Sequence, residues 1–157
     1  MFERILVATD GSDCSNRSAQ MGIELAKTSH GKVTALYVLQ QTVAPIGGLT
    51  SGKIDEVVEG MRKAVKEEGE SALAQVEEMA KRSGVPMEKK MVEGHPASEI
   101  LRIAEETPMD VIVMGSIGRT GLVKYLLGSV AEKVVRNSKV PVLLIPAEPQ
   151  TEKNHTP

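Results

Sequence analysis

Short apolar runs punctuate this chain, and helical patterns fill the intervals between them. The runs include Ile5-Leu6-Val7-Ala8, Val111-Ile112-Val113-Met114 and Val142-Leu143-Leu144-Ile145, with a longer one from Val33 to Leu39. A strand with one wet face alternates apolar and polar residues, whereas a continuous run needs cover on both faces. Strands of this kind, separated by helices, specify an α/β domain on a parallel sheet. Its crossovers must be right-handed.

The pattern predicts strands over residues 4–9, 33–39, 86–92, 110–114 and 140–145. The 86–92 strand carries enough charge to be an edge. Helices are predicted over 13–29, over 53–83, from Pro96 along the face of Ala97, Ile100, Leu101 and Ala104, and over 129–137. Gly31 and Gly84 supply stop signals for the first two. In the 53–83 helix the apolar stripe is Ile54, Val57, Met61, Val65, Ala72, Val76 and Met79, and Gly60 or Gly69 could break it. Residues 40–52, with Pro45, Gly47, Gly48 and Gly52, read as a flexible loop, and a loop that long inside a compact domain is more often functional than idle. One folded domain is expected over 1–147, with a disordered polar tail over 148–157.

A net charge of −2 argues against a general polyanion binder, and Phe2, Tyr37 and Tyr125 are the only aromatics, too few for a single-stranded nucleic-acid platform. No apolar run is long enough to span a bilayer. Met1-Phe2-Glu3-Arg4 leads straight into a strand with no signal-peptide pattern, and Cys14 is the sole cysteine, so no intrachain disulfide can form. A cytoplasmic setting is expected.

The chemistry concentrates where two strands end. The 110–114 strand empties into Gly115; Gly118 follows after two residues, and Gly128-Ser129 nine residues later, at a helix start. Glycines let a backbone approach a phosphate, and a helix start offers unpaired N–H groups with partial positive charge. Plain turn chemistry explains the same glycines. Ser129-Val130-Ala131-Glu132 also reads as a capping box with Ser129 at N-cap. At the mouth of the first strand, Asp10 can bond a ribose hydroxyl or a Mg²⁺ ion, or can serve as a turn residue, since Ser12 and Asp13 already suffice to cap the next helix. Arg119 and Lys124 could neutralise phosphate charge or stay solvated. His95 and His30 lack partners for nucleophilic catalysis, and no metal-ligand spacing is present. The loop is no Walker A motif, because no Gly-Lys-Ser/Thr follows.

Taken together, Ile5-Leu6-Val7-Ala8-Thr9-Asp10-Gly11-Ser12, the approach Asp110 to Ser116, the spaced glycines Gly115, Gly118 and Gly128 with Ser129, and Leu127 to Val134 resemble the universal stress protein family in its ATP-binding branch. The resemblance runs from about Phe2 to Pro146. It implies a five-stranded parallel open sheet in the order 3-2-1-4-5 with helices on both faces, an adenine nucleotide alpha hydrolase-like fold. It implies ATP, with Mg²⁺ or Mn²⁺, in a crevice between strands one and four. Backbone near Val38 would read adenine, and Asp10 with Gly115 would hold the ribose. Gly118, Gly128, Ser129 and Val130 would hold the phosphates. Ala8, Thr9 and Met114 would line the pocket, and Arg119 would stand near the phosphates. Gln40 departs from the acidic residue common in relatives. The family is typically homodimeric through its last strand, and the apolar edge from Val140 to Ile145 gives an independent reason to expect pairing.

A nucleotide-dependent regulatory or stress-response role is the leading expectation. The alternatives are a slow Mg-dependent ATP hydrolase, for which no general base is visible, and a dimeric interaction module that needs no nucleotide.

Overall fold

The computed structural model describes residues 1–41, 48, 50–118 and 126–148. Strands β1 (Arg4–Ala8), β2 (Lys32–Leu39), β3 (Met87–Glu93), β4 (Val111–Gly115) and β5 (Val142–Ile145) alternate with helices α1 (Asp13–Ser29), α2 (Ser51–Ser83), α3 (Pro96–Glu106) and α4 (Ser129–Asn137). The strands form one sheet in the order β3-β2-β1-β4-β5. Every pairing is parallel: Val7 lies opposite Ala35 on one side and Val113 on the other. The expected architecture is therefore present, and charged β3 is an edge strand.

Two apolar layers cover the sheet. Ile5, Val7, Val33, Ala35, Val111 and Val113 pack against Ala19, Ile23 and Ala26 of α1 and Ala72, Leu73, Val76 and Ala80 of α2. Leu6, Leu36, Ile112 and Met114 face Ala97, Ile100, Ile103 and Ala104 of α3 and Ala131 and Val134 of α4. Alternate residues of each central strand thus serve opposite layers, which is why these strands have no polar face. Each fully buried Ile, Leu or Val contributes roughly 1.5–3 kcal/mol.

Four local expectations need correction. The stop of α1 is made by His30, which adopts the left-handed conformation (φ 55), rather than by Gly31. Gly31 is required for space: a Cβ there would stand 2.5 Å from the Glu3 carbonyl oxygen. Helix α2 runs unbroken through both glycines for 33 residues, and Gly69 is there for space, since a Cβ would stand 2.7 Å from the Tyr37 ring. The helix also begins at Ser51, two residues early. Strand β5 starts at Val142 rather than 140, since Ser138 Oγ donates to the Val140 carbonyl (2.6 Å) and accepts its N–H (3.0 Å), closing a turn first.

Gly84 ends α2 in the left-handed conformation (φ 69), as expected. Residues 42–47 and 49 of the predicted loop, and 149–157 of the predicted tail, lie outside the described residues. No helix among the described residues is long and apolar enough to cross a membrane.

Candidate functional site

The strand order reverses between β1 and β4, because β1 connects onward to β2 on one side and β4 onward to β5 on the other. Two parallel strands whose connections leave in opposite directions open a crevice at their carboxyl ends. A cavity of about 670 Å³ occupies this position, within the range of small-molecule and cofactor sites.

Ten of the residues expected from sequence converge on it: Ala8, Thr9, Asp10, Val38, Met114, Gly115, Gly118, Gly128, Ser129 and Val130. Arg119, like Gly121 and Lys124, lies outside the described residues. One wall is apolar. Leu36 and Val38 from β2, Met114 from β4, Pro96 and Ile100 from α3, and Val130 and Ala131 from α4 form it. These side chains suit a flat apolar group without offering it an aromatic stack. Pro96 opens α3 at its first turn, where a missing N–H costs nothing.

The other end is polar main chain. Helix α4 points its N-terminus at the cavity, and its N-cap is Gly128, with no side-chain capping bond. The expected capping box is therefore not formed. The Gly128 amide donates to the Ser116 carbonyl at 2.7 Å, which pulls the cap back one residue and makes Ser129 the first helical residue. Glu132 turns away to Arg136 (3.0 Å), and its own amide meets the Gly128 carbonyl (2.9 Å). Among the described residues, the amides of Ser129 and Val130 find no acceptor, as the first turn of an uncapped helix requires. The Ser129 side chain is exposed and makes no bond to a described residue.

Each glycine of the motif has a steric cause in the chain itself. A Cβ on Gly115 would lie 2.7 Å from Cys14 Sγ; one on Gly118 would lie 2.8 Å from Asp10 Oδ2; one on Gly128 would lie 3.2 Å from the Ser116 carbonyl oxygen. The glycines bring the β4 loop down onto α1 and onto the loop after β1. Asp10 also serves its turn: its Oδ1 accepts the Ser12 N–H at 2.9 Å. Ser12 caps α1, its hydroxyl accepting the Ser15 N–H at 3.2 Å, as expected. Buried Cys14 donates to the Ile145 carbonyl at 3.4 Å.

Sequence reasoning missed the wall from α2. Val65 and Glu68 line the cavity beside Tyr37 and Gln40. All buried residues of α2 fall between Gly69 and Ala80, so its first half overhangs the sheet. A helix of this length extends about 50 Å, roughly twice the span of β2. The signal was available in Val65 and Glu68, three apart on one helical face, but nothing in the sequence says where the sheet stops. Asp10 and Glu68 are the charged side chains on the described lining. No group of three or more His, Cys, Asp or Glu among the described residues could hold a metal ion unaided.

The sheet is doubly wound, with a ligand-sized crevice at its switch point and, among the described residues, a helix N-terminus without a side-chain cap on its rim, the architecture of an open-sheet α/β domain. The chain matches the universal stress protein family over residues 1–146, and it belongs to that family. It is 42% identical to universal stress protein MJ0531 of Methanocaldococcus jannaschii, over 92% of this chain and 82% of the relative. It is 37% identical to universal stress protein YxiE of Bacillus subtilis, over 92% and 99%. Among solved structures it resembles that of M. jannaschii protein MJ0577 at TM-score 0.78 and 27% identity, covering 95% of this chain and 99% of the other. It also resembles a universal stress protein solved in complex with cAMP, at TM-score 0.66 and 25% identity, covering 92% and 97%.

Proposed function

We propose that this chain binds ATP, carried with Mg²⁺ or Mn²⁺, and acts in the cytoplasm as a nucleotide-dependent regulatory protein. The observation that carries the reading is the uncapped start of α4. Amides at Ser129 and Val130 that have no acceptor among the described residues, with the partial positive charge of the helix end, line a ligand-sized cavity. Anions are what such a terminus attracts. The adjoining apolar wall from Val38 to Ile100 suits a base, and Asp10 Oδ2 suits a sugar hydroxyl. The cAMP complex of a structural relative supports an adenine nucleotide as the ligand class.

The residues fit a divalent ion held chiefly by phosphates. Mg²⁺ commonly takes one or two carboxylates plus substrate oxygens, and Asp10 is the carboxylate nearest the glycine rim. Bound there, the ion supplies charge neutralisation that the two acidic side chains of the described lining do not. The chain's own groups bind and orient: amides for phosphate, Asp10 for the sugar, aliphatic side chains for the base. In this reading Asp10, with Oδ1 accepting the Ser12 N–H, is taken up by the sugar and the ion rather than by an attacking water. Regulation is favoured over turnover.

A homodimer through β5 belongs to the same reading. Leu143 of the edge strand β5 is 37% exposed, and a second copy would pair along that edge. The test is to release and identify any nucleotide that purifies with the protein, then add Mg-ATP. Retained ATP with no turnover supports the reading. Absence of co-purified nucleotide together with no thermal shift on adding ATP sinks it.

A further inference from the structure

Helix α2 is secured at one end only. Gly84 closes its last turn in the left-handed conformation, and Lys81 and Arg82 there complement the negative end of the helix dipole. The first turn has neither aid: Thr50 makes no side-chain capping bond, and the turn holds no acidic residue. Packing repeats the asymmetry. Ile54, Val58, Met61 and Val65 precede Gly69, Ala72, Val76 and Ala80 along one face at helical spacing. The later four are buried. The earlier four are only half-buried, and among the described residues none of them belongs to either apolar layer of the sheet.

Two ion pairs hang the helix on edge strand β3. Lys89 meets Glu77 at 2.7 Å in the packed half, and Arg62 meets Glu93, the last residue of β3, at 3.0 Å in the overhang. The Arg62 and Glu93 side chains are 62% and 52% exposed, so water screens the second pair. Helices draw most of their stability from an apolar face packed on something, and the first half of α2 has little such packing among the described residues. The loosely held half stands on the cavity: Val65 and Glu68 line it beside Tyr37 and Gln40, at the end of β2. The amides of α4 lie on the β4 side, two strands away. The apolar wall also starts from β2, at Leu36 and Val38, so a base on that wall lies toward α2.

We propose that residues 51–68 of α2 form a cover over the base end of the cavity, which opens to pass the nucleotide, is latched by Arg62 and Glu93, and is held shut by bound ligand through Val65 and Glu68. This rests on the nucleotide reading above. A segment that opens at small cost is shifted by any ligand that contacts only its closed form.

The test follows backbone hydrogen exchange over 54–66 and 72–80 in the wild type, Arg62→Ala, Glu93→Ala, the double variant and Gly60→Ala, free and saturated with Mg-ATP. It also times release of labelled ATP into an excess of unlabelled ATP. In the free wild type, 54–66 should exchange at least about tenfold faster than 72–80, and Mg-ATP should slow 54–66 the more. Arg62→Ala and Glu93→Ala each speed exchange of the overhang and ATP release by about 1.5- to 5-fold. The double variant goes no further than either, because the same pair is lost in all three. Gly60→Ala, whose added Cβ meets nothing within 4 Å, slows both by about two- to fivefold through helix propensity. All three positions are exposed, so the variants keep the fold. Equal exchange of the two halves in the free protein, equal protection of both by ATP, or release unmoved by the variants overturns the cover and leaves the nucleotide reading standing. A wild type that takes up no ATP overturns both.

Discussion

At the scale of single residues, the three motif glycines separate by what each would strike. Gly118 has no left-handed φ, and among the described residues a Cβ there would meet Asp10 Oδ2 alone. Gly118→Val should therefore leave the melting temperature nearly unchanged while weakening ATP binding more than about tenfold, by crowding the rim and displacing the carboxylate; calorimetric titration checks this. Gly128 faces backbone, the Ser116 carbonyl and Ile117 Cα, so Gly128→Val should also cost about 1–3 kcal/mol of stability in urea melts. Asp110 offers a pH test far from the cavity. Its Oδ2 accepts the Arg4 and Glu3 amides at 2.8 and 2.9 Å, and the Arg4 guanidinium adds a third bond at 3.2 Å. Bonding from the Arg4 amide, then from its side chain, holds this carboxyl below its usual value despite partial desolvation. A lowered folded-state pKa gives stability that is full above the unfolded value of about 4 and disappears as pH falls through the folded one. Asp110→Asn should thus be destabilising by about 1–2 kcal/mol at pH 7, and the gap from wild type should shrink on acidification below about pH 4. The glycine positions were legible in the sequence. Their causes were not, since Cys14, Asp10 and Ser116 come to them through the fold. Ser129 shows the limit of local patterns: the capping box matched, but a tertiary bond from Gly128 to Ser116 moved the cap.

Among the elements, α2 departs furthest from its sequence reading. Its apolar stripe continues through Ile54 and Met61 with the same spacing as the buried half, so periodicity could not show that one half packs on the sheet and the other overhangs the cavity. The two glycines thought able to break it make a paired experiment. Gly60 has nothing within 4 Å of a would-be Cβ, whereas Gly69 meets the Tyr37 ring at 2.7 Å and Met91 at 2.9 Å. Gly60→Ala should stabilise by about 0.5–1 kcal/mol through helix propensity. Gly69→Ala should destabilise, because the buried ring must move. Urea denaturation of the two variants against the wild type measures both signs. The strands were read within one or two residues at each end, because short β-branched apolar runs bounded by turn residues are too brief for helices; β3, a charged edge, was legible from its length and flanks instead.

For the whole molecule, the strand types and helix alternation were legible, but the order β3-β2-β1-β4-β5 was implied only by the family resemblance; apolar runs of similar composition carry no address for their neighbours. Assembly is tested at the exposed edge: Leu143→Glu should convert the proposed dimer to a folded monomer, read by light scattering after size-exclusion chromatography. That edge also reaches inward. The carbonyl oxygen of Ile145, the last residue of β5, accepts both the Ser116 amide at 2.9 Å and the Cys14 thiol. One atom of an edge strand thus moors both Ser116, in the lining of the crevice, and the first turn of α1, so a shift of β5 along its own axis would carry the wall of the cavity with it.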